Sequence, residues 1–311
     1  MSPPAQSLRV AAAGLTFQNP IVLAAGTAAY GRELVGVMDL DLLGGLVTKA
    51  VSVEPRKGAA APRVAEFEGG MINAVGLANP GLEAVRSHEI PWLAANVGKA
   101  RVIVNVIGNA MEDFGSVVAG LDGCKGVDAF ELNVSCPNVK AGGMEFGADS
   151  AVLSELIARV RRETTRPLFV KLSPTLTHIA DAARVAADAG ADGLTLVNTI
   201  PGLAIDVFTR RPALGFGSGG VSGPGLLPVG VLAVWKASRA VKLPIIGVGG
   251  VMHGTDAIQY MLAGATLVGV GTAALRDPRA PERIAREIRE WCVSNGVSNV
   301  AELVGTLEWP S

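Results

Sequence analysis

Cysteine is scarce and scattered. The 311 residues hold only Cys124, Cys136 and Cys292, with no C-x-x-C pair and no adjoining histidines. That spacing excludes a disulfide framework and offers no readable zinc or iron–sulfur site, so no metal is expected on this chain. Charge is also thin, at 18% of residues, and nearly balanced, with Lys+Arg 27 against Asp+Glu 28. No net positive field exists to gather nucleic acid or an anionic membrane surface. No apolar run is long enough to cross a bilayer, and the opening "MSPPAQSLRVAAAGLTFQNP" lacks the basic segment and apolar core of a leader. A soluble, unprocessed, cytoplasmic protein is expected. Hydrophobic residues are plentiful, at 49%, enough for a large core.

Those residues recur as runs of strand length: "PIVLAAG" (20–26), "GGLVTKAV" (44–51), "RVIVNVIG" (101–108), "AFELNVSC" (129–136), "PLFVKLSP" (167–174), "GLTLVNT" (193–199), "PIIGVGG" (244–250) and "TLVGVGT" (266–272). Continuous apolar runs without strict alternation suit parallel strands buried on both faces, and helical patterns such as "DSAVLSELIARVRRET" and "IADAARVAADAGA" supply the crossovers. Strand–helix units of this number and span predict an α/β fold, a (β/α)8 TIM barrel, with residues 1–311 forming one domain. Two connections, 52–80 and 200–225, are too long for plain crossovers. Both follow strand C-termini, so they are expected as long loops inserted on the catalytic face, acting as lids or binding walls.

The polar residues with chemical potential gather at the same strand ends: Lys49 on the second, Asn105 on the third, Asn133 and Cys136 on the fourth, Lys171 and Ser173 on the fifth, Asn198 and Thr199 on the sixth. A lysine inside an apolar strand is costly to bury without a negative partner. Each lysine can pair with a neighbouring carboxylate, or the two together can face a bound anion. Gly249, Gly250, Gly271 and Thr272, where strands seven and eight meet their loops, are either tight corners or a phosphate cradle, with Gly26 and Gly223 able to wall the same cavity. A phosphate there, with asparagines and lysines opposite, describes an elongated ligand across the barrel mouth, and flavin mononucleotide has that shape. Cys136, turned sharply by Pro137, can present its thiol as a base or nucleophile. A buried thiol acting as a small hydrophobe is the reading for Cys124 and Cys292.

"ELNVSCPNVKAGGMEFG" (131–147), with "NAVGLANPG" (73–81), "VKLSP" (170–174), "GADGLTLVNT" (190–199), "GGVSGP" (219–224), "PIIGVGGV" (244–251) and "VGVGTA" (268–273), resembles class 1 dihydroorotate dehydrogenase almost end to end. "NVKAGGMEFG" is similar to subclass 1B, a catalytic subunit working with a partner subunit that carries FAD and a 2Fe–2S cluster. The resemblance implies oxidation of (S)-dihydroorotate to orotate in pyrimidine (UMP) biosynthesis, with FMN accepting hydride and electrons passing to NAD+ through that partner in a heterotetramer. It implies Cys136 as general base. It places FMN on Gly26, Thr27, Lys49, Ala50, Asn105, Asn133, Lys171, Val197 and Gly223, with phosphate on Gly249, Gly250, Gly271 and Thr272. Substrate would meet Lys49, Asn73, Ala74, Val75, Gly76, Leu77, Asn133, Asn198 and Thr199, with Asn138 closing over it. The loop before Gly219 departs from the family: "RRPALGFGSGG" stands where relatives usually show an alanine–asparagine pair. The alternatives are another flavin barrel, such as a dihydropyrimidine dehydrogenase domain, and a phosphate-binding lyase or isomerase.

Overall fold

The computed structural model of the chain describes residues 7–135 and 146–310 in full and, between them, the backbone of 137–138 and 144–145. Eight parallel strands close into a barrel: β1 (Ile21–Leu23), β2 (Gly45–Val47), β3 (Arg101–Val106), β4 (Ala129–Asn133), β5 (Leu168–Leu172), β6 (Gly193–Leu196), β7 (Ile245–Val248) and β8 (Leu267–Val270). Each pairs with its neighbour in sequence, and β8 returns to β1 through Val268 opposite Ile21. These are the eight runs that the sequence marks, shortened at their ends. The architecture is the expected (β/α)8 barrel.

Sequence explains the helices locally. In Ser150–Arg161, Asp149 caps the first turn by accepting from the backbone N–H groups of Ala151 and Val152, at 2.8 and 3.0 Å. Leu153, Leu156, Ile157 and Val160 then recur at helical spacing and are buried against the barrel. The first connection differs from the strand–helix expectation. Between β1 and β2 the chain makes only two short 3-10 turns, Arg32–Leu34 and Leu40–Leu42, because Gly31 and Gly36 take left-handed φ values of +93° and +81° that a helix cannot continue through.

The two long connections do not remain loops. Val64–Phe67 and Gly70–Asn73 from the first, and Ile200–Gly202 and Gly219–Ser222 from the second, pair into one four-stranded antiparallel sheet. Asn73 stands opposite Gly220 in this sheet. A small exposed hairpin, Ile205–Asp206 with Arg211–Pro212, projects from the second connection. No helix among the described residues is long and apolar enough to cross a membrane, and none of their acidic, histidine or cysteine side chains cluster in a way that could hold a metal ion.

Candidate active site

A cavity of about 480 Å³ opens where the C-terminal ends of the barrel strands face the four-stranded sheet. That volume suits a cofactor-sized ligand. A second cavity, of about 650 Å³, lies around Trp235, Arg239, Lys242 and Pro244, at the strand N-termini. It holds none of the residues singled out by sequence, and barrel chemistry belongs to the opposite face.

One end of the first cavity is built of glycine. Gly249, Gly250, Gly271 and Thr272 all line it, with Gly223 and Ser222 alongside. Gly250 has φ +75°, and a Cβ there would sit 2.4 Å from the backbone nitrogen of Leu227, so no other residue fits. Beneath the turn, fully buried Tyr260 donates from its hydroxyl to the carbonyl of Gly249 at 2.8 Å. Burial, reinforced by the nearby Asp256 carboxylate, pushes that phenol's pKa far up, so it stays a donor. Thr272 donates from Oγ1 to Ser222 Oγ at 2.8 Å, joining strand β8's end to the sheet. The result is a backbone concavity open to an oxygen-rich group.

The other end is polar and cationic. Lys49, Ala50 and Asn105 line it from the ends of β2 and β3, Asn133 and Lys171 from β4 and β5, and Val197, Asn198 and Thr199 from just beyond β6; Gly26 and Thr27 close the side. Lys171 is only 6% exposed, yet neither it nor Lys49 forms an ion pair with any carboxylate among the described residues. Of the two readings left open for these lysines, the salt bridge finds no partner here. The buried acid on the adjacent strand, Glu131, instead accepts from Asn105 Nδ2 and from Thr195 Oγ1, each at 2.6 Å.

A second hydrogen-bonded chain orients the asparagines. Asn198 Nδ2 donates to Ser135 Oγ at 2.5 Å, Ser135 Oγ donates to Asn133 Oδ1 at 2.8 Å, and the Thr199 N–H donates to Asn198 Oδ1 at 2.9 Å. Asn133 therefore has its amide NH2 left for a ligand, as its carbonyl is already engaged. Asn105 is set the opposite way: its Oδ1 is buried and accepts from no group among the described residues.

From the sheet, Asn73 and then Val75 and Leu77 reach the cavity, and Asn73 Nδ2 donates to the Gly220 carbonyl at 3.2 Å. Ala74 and Gly76 do not line it. Gly76 turns away at φ +70°, its Cα packed so that a Cβ would meet Ala59 N at 2.4 Å, and Leu77 follows in the same left-handed region at φ +56°. Cys136 lies outside the described residues, as does the side chain of Asn138. Of the other cysteines, Cys292 is buried and Cys124 partly so. Sequence reasoning did not single out Glu131, Ser135 and Thr195 behind the cavity, or Val64, Met71, Ser222 and Met252 on its wall.

Fold and site together define a TIM-barrel protein with a glycine-built backbone concavity at the ends of strands seven and eight and a lysine- and asparagine-lined pocket beside it. The family model described as dihydroorotate dehydrogenase matches residues 7–291. The chain is 47% identical over 301 residues to the catalytic subunit of dihydroorotate dehydrogenase B (NAD(+)) from Citrifermentans bemidjiense, covering 97% of this chain and 98% of that one. It is 46% identical over 301 residues to the same subunit from Geobacter sp. strain M21, with the same coverage of 97% and 98%. A Solibacter usitatus relative, 47% identical over 296 residues with 95% and 97% covered, is provisionally named dihydroorotate dehydrogenase A (fumarate). The chain belongs to the dihydroorotate dehydrogenase family.

Proposed function

We propose that this chain is the FMN-bearing catalytic subunit of an NAD+-linked dihydroorotate dehydrogenase, oxidising (S)-dihydroorotate to orotate for pyrimidine biosynthesis. One observation carries the reading: the glycine turn, the two lysines, which have no ion-pair partner among the described residues, and the asparagines border a single cavity. FMN fits the groups present. A buried carbonyl on Asn105 lacks a donor, buried Lys171 lacks a counter-charge among the described residues, and the Gly249–Gly250 turn offers backbone N–H groups without Cβ obstruction. Gly26, Thr27, Ala50, Val197 and Gly223 would flank the flavin, and Gly271 with Thr272 would share its phosphate.

When bound, FMN supplies the acceptor for the hydride that leaves the substrate carbon bearing the carboxylate. The protein's own residues do the rest. Cys136 removes the proton from the neighbouring carbon, the acidic one alpha to the ring carbonyl, so the two departures leave a carbon–carbon double bond. Lys171 provides the positive charge that favours electron-rich flavin, and Lys49 serves both flavin and substrate. Asn73, Asn133, Asn198 and Thr199 hold the substrate ring and its carboxylate, with Val75 and Leu77 as apolar wall. Residues 1–311 act as one domain.

The chain has no cysteine cluster of its own, and relatives at 46–47% identity are named catalytic subunits of an NAD(+) enzyme. Both points support a separate FAD and 2Fe–2S subunit in a cytoplasmic heterotetramer. The Solibacter usitatus name favours a second reading, direct use of fumarate. Co-purification of an FAD-containing chain separates the two.

The test is anaerobic reduction. The purified protein should be yellow, and dihydroorotate should bleach the flavin band; Cys136→Ala should keep FMN and bind orotate while slowing bleaching by about 10²- to 10⁴-fold. Protein that stays colourless after FMN is added would overturn the proposal in favour of a lyase or isomerase. Equal rates with dihydrouracil would point to a dihydropyrimidine dehydrogenase.

A further inference from the structure

We infer that Tyr260 is a positioning residue: its hydroxyl sets the Gly249–Gly250 peptide so that the Gly250 N–H faces the cavity, toward the phosphate of a flavin nucleotide. The hydroxyl donates to the Gly249 carbonyl at 2.8 Å, and the side chain is fully buried. Burial also keeps the phenol neutral, so the bond has the same direction throughout the working pH range. The peptide is trans, and in a trans peptide the carbonyl of one residue and the N–H of the next point in opposite directions. Holding the Gly249 oxygen against Tyr260 therefore aims the Gly250 N–H the other way. The Tyr260 side of the turn is filled: a Cβ at Gly249 would stand 3.2 Å from Tyr260 Oη, and one at Gly250 would meet the Leu227 backbone at 2.4 Å. Both glycines are nonetheless partly exposed and line the cavity, so their open face is the one turned away from the tyrosine. The Gly250 N–H donates to no group among the described residues, which leaves it for a ligand oxygen. The fold makes room for this tyrosine deliberately. Gly230 lies inside the helix Leu227–Ala240, where glycine is unfavourable, and a Cβ there would stand 1.9 Å from Tyr260 Oη. On β7, a Cβ at Gly247 would meet Tyr260 Cδ1 at 2.4 Å. Tyr260 thus acts on the ligand through the Gly249–Gly250 peptide and is not among the residues lining the cavity.

The inference rests on the FMN reading and deepens it, and riboflavin, the same flavin without its phosphate, is the second probe. Tyr260→Phe keeps the ring and removes the donor. No other described group donates to the Gly249 carbonyl, so the peptide is released to turn and take the Gly250 N–H off the phosphate. Fluorescence titration of the apoprotein with each flavin reads this. FMN should bind more weakly while riboflavin does not, so the ratio of the riboflavin to the FMN dissociation constant should fall about fivefold or more. A tyrosine that only fills the core would weaken both flavins by one factor, and a smaller fall in the ratio overturns the inference. If the variant does not fold, or riboflavin binds the parent too weakly to titrate, a structure of the parent with FMN decides. A phosphate oxygen within hydrogen-bond distance of Gly250 N supports the inference, and a phosphate seated away from that N–H overturns it. A parent that binds FMN while the ratio stands still defeats this inference alone, whereas a parent that binds neither flavin overturns the proposed function and this inference with it.

Discussion

At the scale of single residues, Lys171 carries the clearest tension. A buried ammonium without a counter-charge is unfavourable to the folded protein, and its replacement by an apolar side chain of similar length removes that cost. Lys171→Met should therefore leave the apoprotein's unfolding midpoint unchanged or raised, while weakening FMN binding about tenfold or more and slowing flavin reduction. Thermal unfolding of the apoprotein and an FMN titration check the two halves separately. A clear loss of apoprotein stability would mean that the lysine serves a structural ion pair. The lysines, asparagines and glycines were legible in the sequence because each is costly or unusual in an apolar strand. Glu131 was equally unusual in "AFELN", but its meaning lies in Asn105 and Thr195, which are 26 and 64 residues away, and only the closed barrel brings them together. Ser135 was hidden for a different reason, as an ordinary small residue whose role depends on two asparagine amides meeting across it.

At the scale of elements, Asp41 ties together the approaches to two strands. Its carboxylate, in the turn Leu40–Leu42 just before β2, accepts from the backbone N–H groups of Gly98 at 3.0 Å, Lys99 at 2.7 Å and Ala100 at 3.0 Å, just before β3. Partial burial works to raise the pKa, but the three N–H groups, led by Ala100, and the Lys99 charge outweigh it and hold the carboxyl below its ordinary range. A folded-state pKa below the unfolded one stabilises fully above the unfolded value, and the contribution is lost as pH falls through the folded value. Asp41→Asn should cost about 1–2 kcal/mol at neutral pH, with the gap from the parent closing under acid conditions; denaturant unfolding at several pH values measures this. Turnover should not change, since this end of the barrel is remote from the cavity. The eight barrel strands were legible because strands buried on both faces need unbroken Val, Ile and Leu runs. The four-stranded sheet was not. Its strands are short, rich in glycine and without alternation, as in "GGVS" and "GMIN", and their pairing is set by barrel closure and not by local pattern.

At the scale of the whole molecule, ligand and fold are coupled. FMN bound only to the folded state should stabilise it by roughly 2.7 kcal/mol at a hundredfold excess over Kd. Differential scanning calorimetry with and without FMN would register this as a higher unfolding midpoint, and riboflavin, which lacks the phosphate, should give a smaller rise if the glycine turn takes that group. The covering sheet sets a further condition on this coupling. Asn73 and Gly220 are joined across a sequence separation of 147 positions. Closing so long a loop is entropically unfavourable unless the barrel has already brought its ends together. The pocket is thus among the last parts of the molecule to assemble, and a chain still emerging from synthesis cannot complete it until Gly271 and Thr272, close to its end, have been made.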